Sequence, residues 1–167
     1  MIEPDPLSAD SAQLLFTVGS VLRGDDAAGP LLAKLMQEAL DEGDARAGLW
    51  RVIDGGQTPE DELAVVRRLQ PQLLLVFDAA DMGLAAGEIR RLSIEDVMTD
   101  FLITTHSLPI SFLLEELRAC CTDLVFLGIQ PAQTGFFESM TPCVHEAVSE
   151  FFQELLTGID VRAYRTL

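Results

Sequence analysis

The sequence is poor in positive charge. It has 11 Lys and Arg against 27 Asp and Glu, which gives a formal net charge of −16 at pH 7. Because nucleic acids and anionic membrane surfaces attract Lys and Arg, this balance argues against both as partners. The sequence also lacks a stretch of membrane-spanning length, and its first residues carry neither the basic nor the apolar segment of a signal peptide. We therefore expect a cytoplasmic protein.

Cysteine is scarce as well. The chain has three cysteines, Cys120, Cys121 and Cys143, so the odd count and the adjacent pair fit neither a disulfide framework nor the spacing of a zinc site. We expect buried, reduced thiols.

Several catalytic and phosphate-binding motifs are missing. There is no G-x-S-x-G nucleophile elbow and no H-E-x-x-H zinc motif. Gly19 and Gly24 have the spacing of a phosphate loop, but Asp25 and Asp26 stand where that loop has Lys and Ser or Thr. Two carboxylates would repel a triphosphate, so the loop favours another ligand.

What the sequence does contain is an alternation of apolar runs and amphipathic stretches. The run 73–77, LLLVF, is the most strand-like, and Gly87–Leu92 is typical of an edge strand. This alternation predicts an α/β fold with three layers, in which helices flank both faces of a twisted, mostly parallel sheet. We expect one domain over 1–167, with peripheral tails at 1–13 and 158–167.

Acidic side chains follow the predicted strands. Asp25 and Asp26 come after the first strand, Asp54 ends the second and Asp78 ends the third, while His106 follows another apolar stretch. Sheets of this kind bind ligands beyond the carboxyl ends of their strands, and we expect the first and third strands to be neighbours. Carboxylates and an imidazole in one crevice suit a divalent metal or an acid–base pair.

Each of these residues also has a structural explanation. Asp25 or Asp26 could cap the following helix, and Asp54 before two glycines could belong to a turn. His106 could be a structural histidine, although its position in a predicted loop favours a functional histidine equally. Asp78 is harder to explain this way, because a carboxylate that directly follows five apolar residues is costly unless it is paired, liganded or wet.

Five ordered motifs resemble one known family, the hydrogenase maturation endopeptidases, and within it the group that processes the large subunit of hydrogenase 3. The similarity runs from about residue 14 to 152. The motifs are VGSVLRGDDAAGPLLA, VIDGGQTPEDEL, LLLVFDAADMGLAAGEIR, TTHSLPISFLLEEL and VFLGIQP.

This resemblance implies an activity and a site. Family members remove a short C-terminal extension from the precursor of the [NiFe]-hydrogenase large subunit once nickel has been inserted, so the partner would be that precursor and the nickel would arrive with it. The positions that contact the metal in the family correspond to Asp26, Asp78 and His106, and the two aspartates are the candidate catalytic residues. The positions expected to bind substrate or to support these ligands are Gly24, Asp25, Asp54 and Gly55.

One departure and several alternatives remain. The family usually has Asn after the first glycine, where this chain has Ser20, so the role of that amide is in question here. Cleavage could use a metal-bound water or an aspartate as general base. The chain could also be a non-catalytic nickel-binding or precursor-binding chaperone, or a metal-dependent phosphohydrolase or nucleotide-binding α/β domain.

Overall fold

The computed structural model describes residues 13–98 and 109–167. Within these residues, strands pair in the order β2-β1-β3-β5-β4 to form one sheet. The strands are β1 (Gln13–Thr17), β2 (Trp50–Asp54), β3 (Leu73–Ala79), β4 (Ile89–Leu92) and β5 (Asp123–Ile129). All neighbours are parallel except β4, which runs antiparallel to β5 at the edge. The predicted mostly parallel sheet, its edge strand and the pairing of the first and third strands are confirmed.

Helices cover both faces of the sheet. They are α1 (Ala28–Asp41), α2 (Leu63–Leu69), α3 (Ile94–Met98), α4 (Ile110–Arg118) and α5 (Pro142–Leu156). Successive side chains of β3 point to opposite faces, as the period of a strand requires. Leu75 and Phe77 pack in the core under α1 and α5, whereas Leu74 and Val76 pack in the core under α2 and α4. The predicted three-layer architecture is confirmed.

An aromatic stack lies in the core under α1 and α5, which we call the first core. The ring of Phe77 lies 5.2 Å from the ring of Phe151 in α5, and Tyr164 meets Phe151 edge-on at 5.5 Å. Full burial of each such side chain stabilises the fold by about 1.5–3 kcal/mol. The contact between Phe77 and Phe151 holds β3 against α5 and so fixes the position of the carboxyl end of β3.

Two helices begin near a Thr-Pro pair, a pattern in the sequence that predicts a threonine cap followed by proline in the first turn. Thr58 precedes a 3₁₀ turn, Pro59–Glu62, and its side chain makes no capping hydrogen bond there. The hydroxyl of Thr141, before α5, donates to the carboxylate of Asp25 instead. The prediction that these hydroxyls cap their helices is therefore wrong. At Thr141 the reason is that the hydroxyl donates its hydrogen bond to the buried Asp25 carboxylate.

The end of the chain packs against the core. Val161 is 1% exposed in the first core, and the amide of Leu167 donates to the carbonyl of Arg91 in β4. The prediction that 158–167 is a peripheral tail is wrong, because Val161 is buried and Leu167 is hydrogen-bonded to β4. Residues 1–12 lie outside the described residues.

Two further sequence expectations can be compared with the structure. Cys120 is buried, but Cys143 is exposed on α5, so the expectation of buried thiols fails for Cys143. Among the described residues, none of the helices combines the length and the apolar character needed to cross a membrane.

Candidate active site

The loop after β1 folds back tightly on itself. Gly19 has φ +143°, and a Cβ at this position would lie 2.0 Å from the carbonyl oxygen of Asp26. The amide of Ser20 donates to the Asp26 side-chain oxygen Oδ2 at 2.9 Å and to its carbonyl oxygen at 3.2 Å. Glycine at position 19 thus lets the backbone approach closely enough for an amide to hold the Asp26 carboxylate.

Asp26 is buried at the carboxyl edge of the sheet. Only 5% of the residue is exposed, and it lies in the 3₁₀ turn Gly24–Ala27, which packs against β3. It lines an open cleft of about 350 Å³ with Arg23, Ala79, Asp81, Gln130, Pro131, Ala132, Gln133 and Thr134. The location is the one predicted from the strand ends.

Asp78 is the sixth residue of β3, where it lies opposite Gly128 of β5 and is 4% exposed. The strand continues to Ala79, two residues further than the apolar run predicted. Because the turn that carries Asp26 packs on β3, the two aspartates lie at the same edge. Burial of two carboxylates in one region costs free energy, and arrangements of this kind are typical of functional sites.

Asp25, by contrast, is a structural clamp. It is 0% exposed. Its carboxylate accepts hydrogen bonds from the amides of Ala132, Gln133 and Thr141 at 2.8, 3.1 and 2.7 Å, and from the Thr141 hydroxyl at 2.9 Å. These donors come from the segment between β5 and α5, so Asp25 fastens that segment beside Asp26. The predicted direct role of Asp25 in substrate binding has no exposed surface to act through, whereas a supporting role fits these contacts.

Gly24 belongs to the same clamp. It has φ +53°, and a Cβ there would lie 2.7 Å from the carbonyl oxygen of Gln133. Its amide donates to the carbonyl of Glu138 at 3.1 Å. Gly24 therefore lets the loop after β1 and the segment before α5 pack backbone against backbone.

Asp54 lies at the exposed end of β2, next to the β1 loop. Its Oδ1 accepts from the Thr17 hydroxyl at 3.1 Å and from the Gly56 amide at 3.0 Å. The Gly55 amide donates to the Thr17 carbonyl at 2.8 Å, and a Cβ on Gly55 would lie 2.9 Å from that carbonyl oxygen. The turn chemistry expected of Asp54 is present, and the carboxylate also remains open to solvent.

The sequence analysis missed Gln130, a buried residue in the wall of the cleft. Its Oε1 accepts from the amides of Met82 and Leu84 at 2.6 and 3.3 Å, and its Nε2 donates to Asp81 at 3.1 Å. One side chain thus orders the connection between β3 and β4. A signal was present: Gln130 directly follows a buried strand, as Asp78 follows its apolar run.

Arg23 is the cation of the cleft lining. Its Nε donates to the Thr134 carbonyl at 3.2 Å, and its guanidinium carbon lies 4.4 Å from the centre of the Phe136 ring. The hydrogen bond and the cation–π contact hold the guanidinium at the mouth of the cleft, where it offsets part of the negative potential of the aspartates.

His106 lies outside the described residues, so its position relative to Asp26 and Asp78 stays a prediction. Within 13–98 and 109–167, no three His, Cys, Asp or Glu side chains converge as a set of metal ligands would. The other histidine, His145, is exposed on α5.

Cys121 does not supply a ready nucleophile. Burial, with smaller contributions from Cys120 and Asp123, raises the pKa of Cys121 to about 11. At neutral pH this thiol is therefore protonated, whereas a nucleophilic cysteine acts as the thiolate.

Comparisons with known proteins agree on one family. A model of the hydrogenase maturation protease family matches residues 31–158. The hydrogenase 3 maturation protease of Escherichia coli (strain K12) is 42% identical over 142 residues, which cover 85% of this chain and 87% of that protein.

Two solved structures are similar throughout. The crystal structure of a hydrogenase 3 maturation protease superposes with a TM-score of 0.82 at 36% identity, covering 96% of this chain and 99% of that one. The solution structure of the endopeptidase HycI from Escherichia coli gives a TM-score of 0.79 at 37% identity, covering 93% of this chain and 96% of that one.

Proposed function

The chain belongs to the hydrogenase maturation protease family, and from that premise we propose that it removes the C-terminal extension of a [NiFe]-hydrogenase large-subunit precursor after nickel insertion. It is an endopeptidase, like the relatives it matches over most of its length. The observation that carries the proposal is the pair of buried aspartates, Asp26 and Asp78, at one edge of the sheet, where Asp26 lines an open cleft.

Nickel is proposed as a part of the substrate. Asp26, Asp78 and His106 would contact the ion that the precursor brings, since carboxylate and imidazole donors suit a borderline divalent metal. Supporting this, Asp26 is both buried and held by the Ser20 amide, so one ligand is oriented before substrate arrives. A site of this kind accepts the loaded precursor and rejects the empty one.

Peptide hydrolysis needs a water molecule to be activated next to the scissile carbonyl. Two routes fit the carboxylates. In the first, Asp26 or Asp78 takes a proton from the attacking water, as a general base does in an aspartic protease. In the second, the precursor's nickel polarises the water, and the aspartates hold the ion. Both routes assign the chemistry to the same two side chains.

Substrate contacts are proposed for the residues around the cleft. Asp54 and Gly55 are expected at the β2 end of the site, where Asp54 is exposed and fixed by Thr17. Gly24 and Asp25 contribute by holding the loop that carries Asp26. The cytoplasmic location and the absence of nucleic-acid and membrane partners stay predictions from the sequence.

The experiment that tests this function uses the purified chain alone. It is incubated with a nickel-loaded large-subunit precursor, and the masses of the products are measured by mass spectrometry. A shortened large subunit together with the released C-terminal peptide is the expected result. Binding of the precursor without any released peptide would instead identify a precursor-binding chaperone.

A further inference from the structure

Four large apolar side chains lie exposed beside the cleft. Val21 and Leu22 are 68% and 47% exposed, and Phe136 and Phe137 are 63% and 84% exposed. The two phenylalanine rings are 6.2 Å apart, and the Phe137 amide donates to the Leu22 carbonyl at 2.7 Å. Single exposed apolar residues are ordinary, but a cluster of them marks an interaction site. We call these four residues the rim patch.

The rim patch is held in place by the backbone. Phe137 has φ +59°, a left-handed conformation that costs a bulky residue about 1–2 kcal/mol. Next to it, the Asp25 amide donates to the Gln133 carbonyl at 2.8 Å, and the Gly24 amide donates to Glu138. These bonds join the two loops that carry the patch, so its backbone is ordered. A pre-ordered surface loses little conformational entropy when a partner binds.

The rim patch is continuous with the cleft. Arg23 connects them, because its guanidinium covers the Phe136 ring while its side chain lines the cleft with Asp26 and Thr134. A peptide that reaches Asp26 from this side therefore passes over the patch. The patch sits on the approach to the proposed catalytic carboxylates, where it can select what enters.

We infer that the rim patch docks an apolar segment of the precursor that lies close to the bond to be cut. This inference rests on the proposed function. The partner is the substrate because the patch and the cleft share Arg23, and its contacting segment is apolar because Val21, Leu22 and Phe137 offer hydrocarbon and aromatic surface. Docking there would supply binding energy remote from the chemistry and would set substrate specificity.

The test is a kinetic comparison on nickel-loaded precursor. The double variant Val21→Ser/Phe137→Ser removes the apolar surface but leaves Arg23, Phe136 and both aspartates in place. The matched control is Leu49→Ser, since Leu49 is 58% exposed at another part of the surface. We expect the KM of the double variant to rise by about tenfold or more with kcat within about twofold, because truncated interface anchors lose affinity on this scale. Leu49→Ser should keep both constants.

The outcomes separate the two proposals. If the wild type leaves the precursor intact, the proposed function fails, and the docking inference falls with it. If the wild type cuts and the double variant has an unchanged KM, the docking inference alone is wrong. Sedimentation of the wild type provides a further check: a dimer that the double variant cannot form would assign the patch to self-association and overturn the inference.

Discussion

The amide of Ser20 holds the carboxylate of Asp26 through a hydrogen bond of 2.9 Å. Ser20 is the position at which the sequence departs from the asparagine usual in the family, and it acts on Asp26 through its backbone. The Ser20 hydroxyl instead accepts from the Leu22 amide at 3.3 Å, within the same loop. The departure therefore leaves the support of Asp26 intact.

Replacing Ser20 should test this. Ser20→Ala keeps the amide and removes the hydroxyl, so we expect cleavage within about threefold of the wild type and a loss of roughly 0.5–1.5 kcal/mol in the free energy of unfolding. Precursor cleavage rates and urea denaturation measure the two effects. A loss of activity greater than tenfold in a stably folded variant would show that the hydroxyl itself takes part in the site.

Asp25→Asn should destabilise the protein. An asparagine places an NH₂ group where three backbone amides and a hydroxyl now donate, so at least one buried donor loses its acceptor. We expect the free energy of unfolding to fall by about 2–4 kcal/mol in urea denaturation. The control Asp41→Asn, on the exposed end of α1, should stay within about 0.5 kcal/mol. Equal stability of the two variants would contradict the clamp.

Asp26→Asn and Asp78→Asn should behave differently from Asp25→Asn. Both replacements keep the shape of a buried side chain and remove its charge, so we expect folded proteins whose kcat on nickel-loaded precursor falls by about 10²–10⁴. The control is Asp81→Asn, which alters an exposed carboxylate of the same cleft and should cost less than about fivefold. If both buried-site variants cut loaded precursor at the wild-type rate, neither carboxylate is the general base.

Much of this arrangement could be predicted from the sequence. Buried parallel strands are near-continuous apolar runs, so the run 73–77 predicts β3, and acidic residues after the predicted strands indicate the edge that carries Asp26 and Asp78. Strand position alone does not choose between Asp25 and Asp26, because the choice depends on how one turn rotates two adjacent side chains; the family resemblance made that choice. The Thr-Pro pattern at Thr141 predicts a helix cap, because the partner that its hydroxyl actually bonds, Asp25, lies 116 residues away and no local pattern reveals it.

The thiol of Cys121 should be alkylated slowly at neutral pH, and its alkylation rate should keep rising up to high pH. Its pKa is raised from 9.0 to about 11, mainly by burial, so at pH 8 about one molecule in a thousand carries the thiolate. We expect its alkylation by iodoacetamide to speed up about tenfold for each pH unit until pH 11. Mass spectrometry of peptides after timed labelling of the native protein gives the rate, and a plateau near pH 9 would contradict the raised pKa.

Gln130→Ala should loosen the connection between β3 and β4. The substitution removes the acceptor of the Met82 and Leu84 amides and the donor to Asp81. We expect faster hydrogen exchange at those two amides and a loss of about 1–3 kcal/mol in the free energy of unfolding. The exchange of Leu113 and Leu114 amides in α4 is the internal control. Unchanged exchange at Met82 would show that another contact orders this wall of the cleft.

The most direct measurement is cleavage of the cognate precursor with and without prior nickel loading, by the wild type, by His106→Ala and by the control His145→Ala. We expect the wild type and His145→Ala to shorten only the loaded precursor, and His106→Ala to shorten neither form. Cleavage of the nickel-free precursor at the rate of the loaded one, or full activity of His106→Ala, would contradict a site that recognises its substrate through nickel.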